Sequence, residues 1–233
     1  MTEVEILRRA EQLLGSNSKV RGEKWWASEE KERFDRSITR MLMPAVFGVM
    51  GIGGGWVWMT DRKKPVIRLK RWHPQGEIQI MKIRTMVDGA EKMDEQVFGG
   101  RPLREIKVNR RDPRIMRGCE WLRVLSLDEM PQFINVKNGE MSIVGPRPIS
   151  DYEVKLELEP NLEFEPYREW SEWLTKGLRF GITGVGQVIT RRLCVPMEMR
   201  MRIDNLYARE ASLIGDLRII LATLAPGVIF GGR

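Results

Sequence analysis

Cysteine and histidine are nearly absent from this chain. Among 233 residues there are two cysteines, Cys119 and Cys194, and one histidine, His73. The thiols lack metal-ligand spacing and His73 has no evident partner, which argues against a zinc site. So few thiols do not call for an oxidising compartment, and the reducing cytosol is the default. Residues 1–15 are charged and amphipathic, so no cleavable signal peptide is expected at the start. Helix-turn-helix, zinc-finger and RNA-binding signatures are also missing, so nucleic acid is not the expected partner. The glycine-rich stretch Gly181–Val188 ends in no Lys-Ser/Thr and has the wrong spacing for a dinucleotide fingerprint, which excludes a P-loop and a Rossmann turn.

Apolar residues make up 42 % of the chain, enough for a substantial core. Net charge is +7, and such a balance points to an anionic partner: an acidic membrane surface or a phosphate substrate. The basic residues concentrate between Arg101 and Arg117, where Arg104, Lys107, Arg110, Arg111 and Arg114 face only Glu105 and Asp112. Phosphate binding at a membrane surface is one reading of that run, and a solvated face is the other. Residues 151–173 reverse the sign, with eight acids against Lys155 and Arg168; they read as an exposed helix or loop.

Three regions follow along the chain. Residues 1–32 form an amphipathic extension and linker, with Val4, Leu7, Ala10 and Leu14 at helical spacing and Gly15 as a stop. Residues 33–60 carry the membrane signal. No charged residue lies between Met41 and Met59, and nineteen residues in a helix span roughly 28 Å, near the thickness of a bilayer's hydrocarbon core. Basic residues flank both ends, which suits a segment that enters and leaves by the same face. Pro44 would bend the helix, so a re-entrant hairpin is the expectation and a single straight span the alternative. Residues 61–233 form the cytosolic domain. Val66–Trp72 and Glu77–Met81 alternate around the turn His73–Gly76 and predict a β-hairpin. The apolar stretch Leu213–Phe230, interrupted by Asp216 and Arg218, predicts an interfacial helix. The fold class is therefore α+β, mostly helical, with one hairpin and membrane-facing helices.

The chemistry concentrates in Leu122–Pro148. The adjacent acids Asp128 and Glu129 sit between apolar residues, Leu127 before them and Met130 and Phe133 after, with Arg123 and Arg147 at the ends. Carboxylates in such a setting are partly buried and need cationic partners. Lys82 and Arg84, next to Thr85, and Arg114 add cations, and Gly181–Val188 is a compact glycine-rich turn whose amides could approach phosphate.

Taken in order, Lys82–Met86, Asp112–Ile115, Leu122–Gln132, Asn135–Pro148 and Gly181–Val188 resemble the bacterial sugar transferases, the small monotopic polyprenyl-phosphate phosphoglycosyl transferases. The resemblance runs from about Phe34-Asp35 to about Thr223. It implies an enzyme at the cytoplasmic membrane, its catalytic domain facing the cytosol, that uses Mg²⁺. Its substrates would be a nucleotide diphosphate sugar, in particular a UDP-sugar, and polyprenyl (undecaprenyl) phosphate among membrane lipids. The product would initiate exopolysaccharide or glycoconjugate synthesis. Asp128 is the implied nucleophile and, with Glu129, the implied metal ligand pair. Lys82, Arg84, Arg114, Arg123 and Arg147 are the implied phosphate clamps, with Thr183 and Gln187 touching sugar or nucleotide. Only Arg71 persists of the Gln-Glu-Arg-x-Gly that usually follows the first strand, and Phe180 stands where the family has proline before Gly-Ile-Thr-Gly. A catalytically silent, membrane-anchored assembly protein is the competing reading. A homo-oligomer is compatible with either.

Overall fold

Local signals account for several helix ends. In the computed structural model, which describes residues 1–15, 22–99, 112–190, 193 and 195–224, α1 (Glu3–Leu14) opens on Thr2 and closes on Gly15. Gly15 takes a left-handed backbone and returns its N–H to Glu11 O. The inward face is Ile6, Ala10, Leu13 and Leu14, while Val4 is exposed. The spacing of apolar residues located the helix, and of the four spaced residues Ala10 and Leu14 are buried and Leu7 packs against the core. After the short α2 (Glu23–Trp26), Ser28 accepts from Lys31 N–H at 3.1 Å and opens α3 (Glu29–Asp61).

Helix α3 runs for 33 residues without interruption through Pro44, so the chain does not double back there. It is long and apolar enough to cross a membrane. Lys31, Asp35, Thr39, Met43, Val46 and Val57 form one buried stripe along it, the i/i+3/i+4 pattern of a helix lying on a surface. Phe47, Ile52 and Trp58 face outward. Both ends are tied to the same folded body: Asp35 accepts from Ser142 Oγ at 2.7 Å near the start, and Trp56 Nε1 donates to Gly118 O at 2.8 Å near the end.

The predicted hairpin is present as β1 (Val66–His73) and β2 (Gly76–Ile83), paired antiparallel from Val66↔Ile83 to His73↔Gly76. The free edge of β2 is met by a side chain instead of a third strand. Asn135 accepts from Met81 N–H at 2.9 Å and donates to Gln79 O at 2.8 Å, so one amide satisfies two edge groups. A second, parallel pair joins β3 (Ser142–Val144) to β4 (Gly181–Thr183). Here the glycines are needed for close backbone approach: a Cβ on Gly181 would lie 2.1 Å from Gly145 N, and one on Gly184 2.2 Å from Gly145 O. The stretch expected to be a phosphate-binding turn is thus a strand leading into α9 (Val185–Thr190), its glycines spent on strand contact.

The main core gathers α1, β3, α8 (Tyr167–Thr175), α10 (Met197–Glu210) and α11 (Leu213–Leu224). In the acidic region, expected to be an exposed helix or loop, α8 buries Trp170 and Leu174. Trp170 stacks on Trp72 of the hairpin with ring centroids 6.0 Å apart. A charged cluster is sealed within the fold. Lys31 Nζ bonds Asp35 at 2.8 Å and Asp216 at 2.9 Å, and Asp216 also accepts from Trp25 Nε1 and Tyr207 OH. Burial raises the Asp216 pKa and Lys31 opposes the shift. Removing the lysine would leave two buried carboxylates uncompensated, at a cost of about 3–5 kcal/mol. The cluster ties α3 and α11 to β3, which leads directly to Arg147.

Candidate active site

The site forms where α3, the hairpin and the segment after α5 (Glu120–Val124) meet. Leu122 of α5 is fully buried, and a Cβ on Gly53 would lie 3.0 Å from it, so glycine lets α5 approach α3. Ser126 then adopts a left-handed backbone (φ 56°) and turns the chain into a single 3₁₀ turn, Leu127–Glu129. Pro131 leads into α6 (Gln132–Lys137) directly afterwards. Asp128 is thereby held inward, 6 % exposed.

Charges converge around it. Lys82 Nζ, at the end of β2, bonds Glu129 Oε1 at 2.7 Å, and Arg147 Nη2 approaches the same oxygen at 3.4 Å. Arg123 is exposed and donates to Thr85 Oγ1 at 3.3 Å. Burial pushes the Asp128 carboxyl above the usual range; Lys82 opposes this, Glu129 adds to it, and Arg123 opposes it further. Glu129 raises the Arg147 guanidinium above its ordinary value. Arg147 remains 42 % exposed, so the site combines a buried acid with an accessible cation.

Two expected clamps are placed differently. Arg84 is buried and held by both oxygens of Asp61 at 2.5 Å, with Nε on Lys64 O at 2.9 Å. Arg114 is buried and bonded to Asp112 at 2.9 and 2.6 Å and to Asp94. Their donors face carboxylates, so both guanidiniums brace the end of α3 and the loop after the hairpin. Thr183 Oγ1 lies 2.6 Å from Thr223 Oγ1, linking β4 to α11, and Gln187 Nε2 donates to Ile182 O at 3.1 Å. Neither bonds to the Asp128 cluster among the described residues. Most of the basic run, Arg101 through Arg111, lies outside the described residues.

No group of three or more metal-ligating side chains occurs among the described residues. Asp128 and Glu129 are two adjacent carboxylates, and Mg²⁺ is commonly held by one or two carboxylates together with substrate phosphates. The pair therefore fits an ion carried in on a diphosphate.

Arg71, absent from the implied clamps, lies on the same face of the hairpin as Lys82; its single match to the Gln-Glu-Arg-x-Gly pattern was the available signal. Asn135, fixing the hairpin, was marked by sequence only as part of a longer motif.

Known proteins resemble this chain over most of its length. The chain is 34 % identical over 200 residues to the exopolysaccharide production protein ExoY of Sinorhizobium fredii, an alignment covering 83 % of each. It is 32 % identical to the UDP-galactose-lipid carrier transferase of Erwinia amylovora and 35 % identical to the UDP-glucose:undecaprenyl-phosphate glucose-1-phosphate transferase of Klebsiella pneumoniae. Those alignments cover 81 % and 73 % of this chain but only 37 % and 34 % of the two longer proteins. The family model described as bacterial sugar transferase matches residues 26–229, which contain the hairpin, the Asp128 site and both parallel strands, and the chain belongs to that family.

Proposed function

We propose that the protein transfers a phosphosugar from a nucleotide diphosphate sugar, a UDP-sugar in particular, to polyprenyl phosphate at the cytoplasmic membrane. The observation that carries this reading is the buried Asp128 set among Lys82, Arg123, Glu129 and Arg147. The names of the Erwinia and Klebsiella relatives support the substrate classes.

In the first step an Asp128 oxygen attacks the sugar-bearing phosphorus. The bond from that phosphorus to the bridging oxygen breaks, and a nucleoside monophosphate leaves with the electron pair. A phosphosugar-aspartyl anhydride remains. In the second step an oxygen of polyprenyl phosphate attacks the same phosphorus, and Asp128 departs as carboxylate. A carboxylate is a weak nucleophile toward an anionic diphosphate, so neutralising and orienting charge supplies most of the acceleration. Lys82 holds Glu129 and opposes the burial that raises the Asp128 pKa, which favours the ionised nucleophile. Arg147 and Arg123 offer guanidiniums that match phosphate oxygens. Mg²⁺ held by Asp128, Glu129 and the donor's phosphates would supply further charge neutralisation.

The lipid acceptor calls for a site at the membrane surface. Helix α3 is tied to one body at both ends, which supports a segment that enters and leaves by the same leaflet face. Its outward apolar residues would lie in the cytoplasmic leaflet. Leu213, Ile214, Leu217 and Leu221 form an outward stripe on α11, and Val124 and Leu125 are exposed just before Asp128.

The test uses protein in detergent with a nucleotide-sugar panel, polyprenyl phosphate and Mg²⁺. Nucleoside monophosphate should be released, and mass spectrometry should find the phosphosugar on the Asp128 peptide. Asp128→Asn should lower release by roughly a thousandfold or more. Equal release from both proteins would sink the nucleophile assignment.

A further inference from the structure

Arg71 breaks the pattern set by the other buried arginines. Its side chain is 14 % exposed, and a guanidinium so enclosed carries five donors and a charge that ordinarily find carboxylates. Arg84 and Arg114 do find them. Among the described residues, Arg71 donates only to the carbonyl of its own neighbour, Lys70 O, at 2.7 Å. Its one ion-pair partner, the exposed Glu91, stands at 3.8 Å, beyond hydrogen-bond reach. Glu153 is engaged elsewhere: one oxygen accepts from Ser150 N–H and Oγ, the other from Arg200 at 2.9 Å.

Its position is defined by the hairpin. Arg71 lies across from Ile78 and Lys82 across from Ile67, which puts Arg71 and Lys82 on one face of the sheet. The segment after β3, bearing Arg147, runs into α7 (Asp151–Glu153), which packs on β1. Burial lowers the Arg71 pKa, and the nearby charge of Arg147 contributes to the fall, while Glu91, Asp151 and Glu153 oppose it. Two guanidiniums that oppose each other, one with unfilled donors and the other partly exposed, are stabilised by an anion between them.

The hairpin's length favours one kind of anion. Lys82, bonded to Glu129, lies four residues along β2 from the Arg71 rung, about 13 Å at roughly 3.3 Å per residue. A single phosphate seated at Asp128 does not span that distance, whereas a diphosphate with its nucleoside extends along it.

We propose that Arg71 and Arg147 together bind the diphosphate of the water-soluble donor, Arg147 at the phosphate nearer Asp128 and Arg71 at the farther end. This assignment rests on the phosphoglycosyl transfer reading for the identity of the donor, but the anion site can be measured without turnover.

The experiment compares full-length wild type, Arg71→Gln and Arg71→Lys. Calorimetry with inorganic pyrophosphate, without added metal, reads the anion site; steady-state kinetics read KM for nucleotide sugar and for polyprenyl phosphate separately. Arg71→Gln should weaken pyrophosphate binding and raise donor KM by about tenfold or more, with the acceptor KM within about twofold and Tm unchanged. Arg71→Lys should recover part of the loss, because it restores charge without the bidentate fork. Unchanged pyrophosphate affinity in Arg71→Gln, or no binding by wild type, overturns the proposal. A rise confined to the acceptor KM also overturns it and gives Arg71 to the lipid phosphate. If wild type binds pyrophosphate but turns over no donor, the transfer reading fails, and the pyrophosphate comparison still decides Arg71. Should Arg71→Gln fail to fold, the affinity of Arg71→Lys decides it, with wild-type affinity as the overturning result.

Discussion

Two sets of cations flank the hairpin, and they are built in opposite ways. Arg84 and Arg114 are buried with tight carboxylate partners: Asp61 for the first, Asp112 and Asp94 for the second. Lys82 and Arg147 share one carboxylate, Glu129, at 2.7 and 3.4 Å, and Arg71 stands 3.8 Å from Glu91. In the first set the guanidinium charge is cancelled inside the protein, and the ion pairs hold elements together. In the second it is incompletely cancelled, and the remaining donors are available to an incoming anion. Residue type did not distinguish the sets; how much carboxylate lies within hydrogen-bond reach of each cation did, a whole one or more for Arg84 and Arg114, one shared between Lys82 and Arg147, and none for Arg71.

The most decisive way to break this comparison is to exchange the expected phenotypes of Arg147 and Arg84. Arg147→Gln should lower kcat/KM by roughly a hundredfold or more while leaving Tm nearly unchanged, since the side chain is half exposed and its ion pair loose. Arg84→Gln should instead lower unfolding free energy by about 2–4 kcal/mol in chemical denaturation, because it leaves Asp61 without its bidentate partner. If Arg84→Gln keeps full stability and loses donor affinity, the division fails.

A smaller effect sharpens the contrast among buried acids. Asp204 is buried on α10, and its pKa is pushed up to about 7, with Arg200 only partly opposing the shift. The unfolded carboxyl ionises near 3.8 while the folded one holds its proton. Stability therefore falls as pH rises from about 4 to 7 and levels off above that. Asp204→Asn should flatten this decline and gain about 1–2 kcal/mol at neutral pH, measured by denaturant titration across that range. An unchanged pH profile would remove Asp204 as the source.

The smallest expected effect concerns Asp128. Lys82 is the strongest charge opposing the burial that raises its pKa. Lys82→Met should raise that pKa further, so the acid limb of the kcat/KM profile should move to higher pH, by about half a unit to one unit. A limb that stays in place would mean that another group governs it.

Much of the chain is legible from its residues alone. The hairpin followed from alternation around His73–Gly76, and Gly15 marked a helix end because caps and turns are chosen by neighbouring residues. Asp128 and Glu129 stood out because two acids in an apolar run need counter-charges. Three-residue strands carry too little periodicity to read, so the parallel pairing of Ser142–Val144 with Gly181–Thr183 was hidden. The same limit turned the glycines of that second strand into an expected phosphate turn.

The sequence by itself determined the long apolar helix, the hairpin, the acid pair and the order of family motifs, since each depends on residues close together in the chain. Only the tertiary structure decided which cations are cancelled and which are open, because Lys82 reaches Glu129 across 47 positions and Lys31 meets Asp216 from the other end of the protein. It also decided that both ends of α3 return to one body. Electrostatic partnership depends on distances of a few ångströms and on exclusion of water, and spacing along a chain specifies neither.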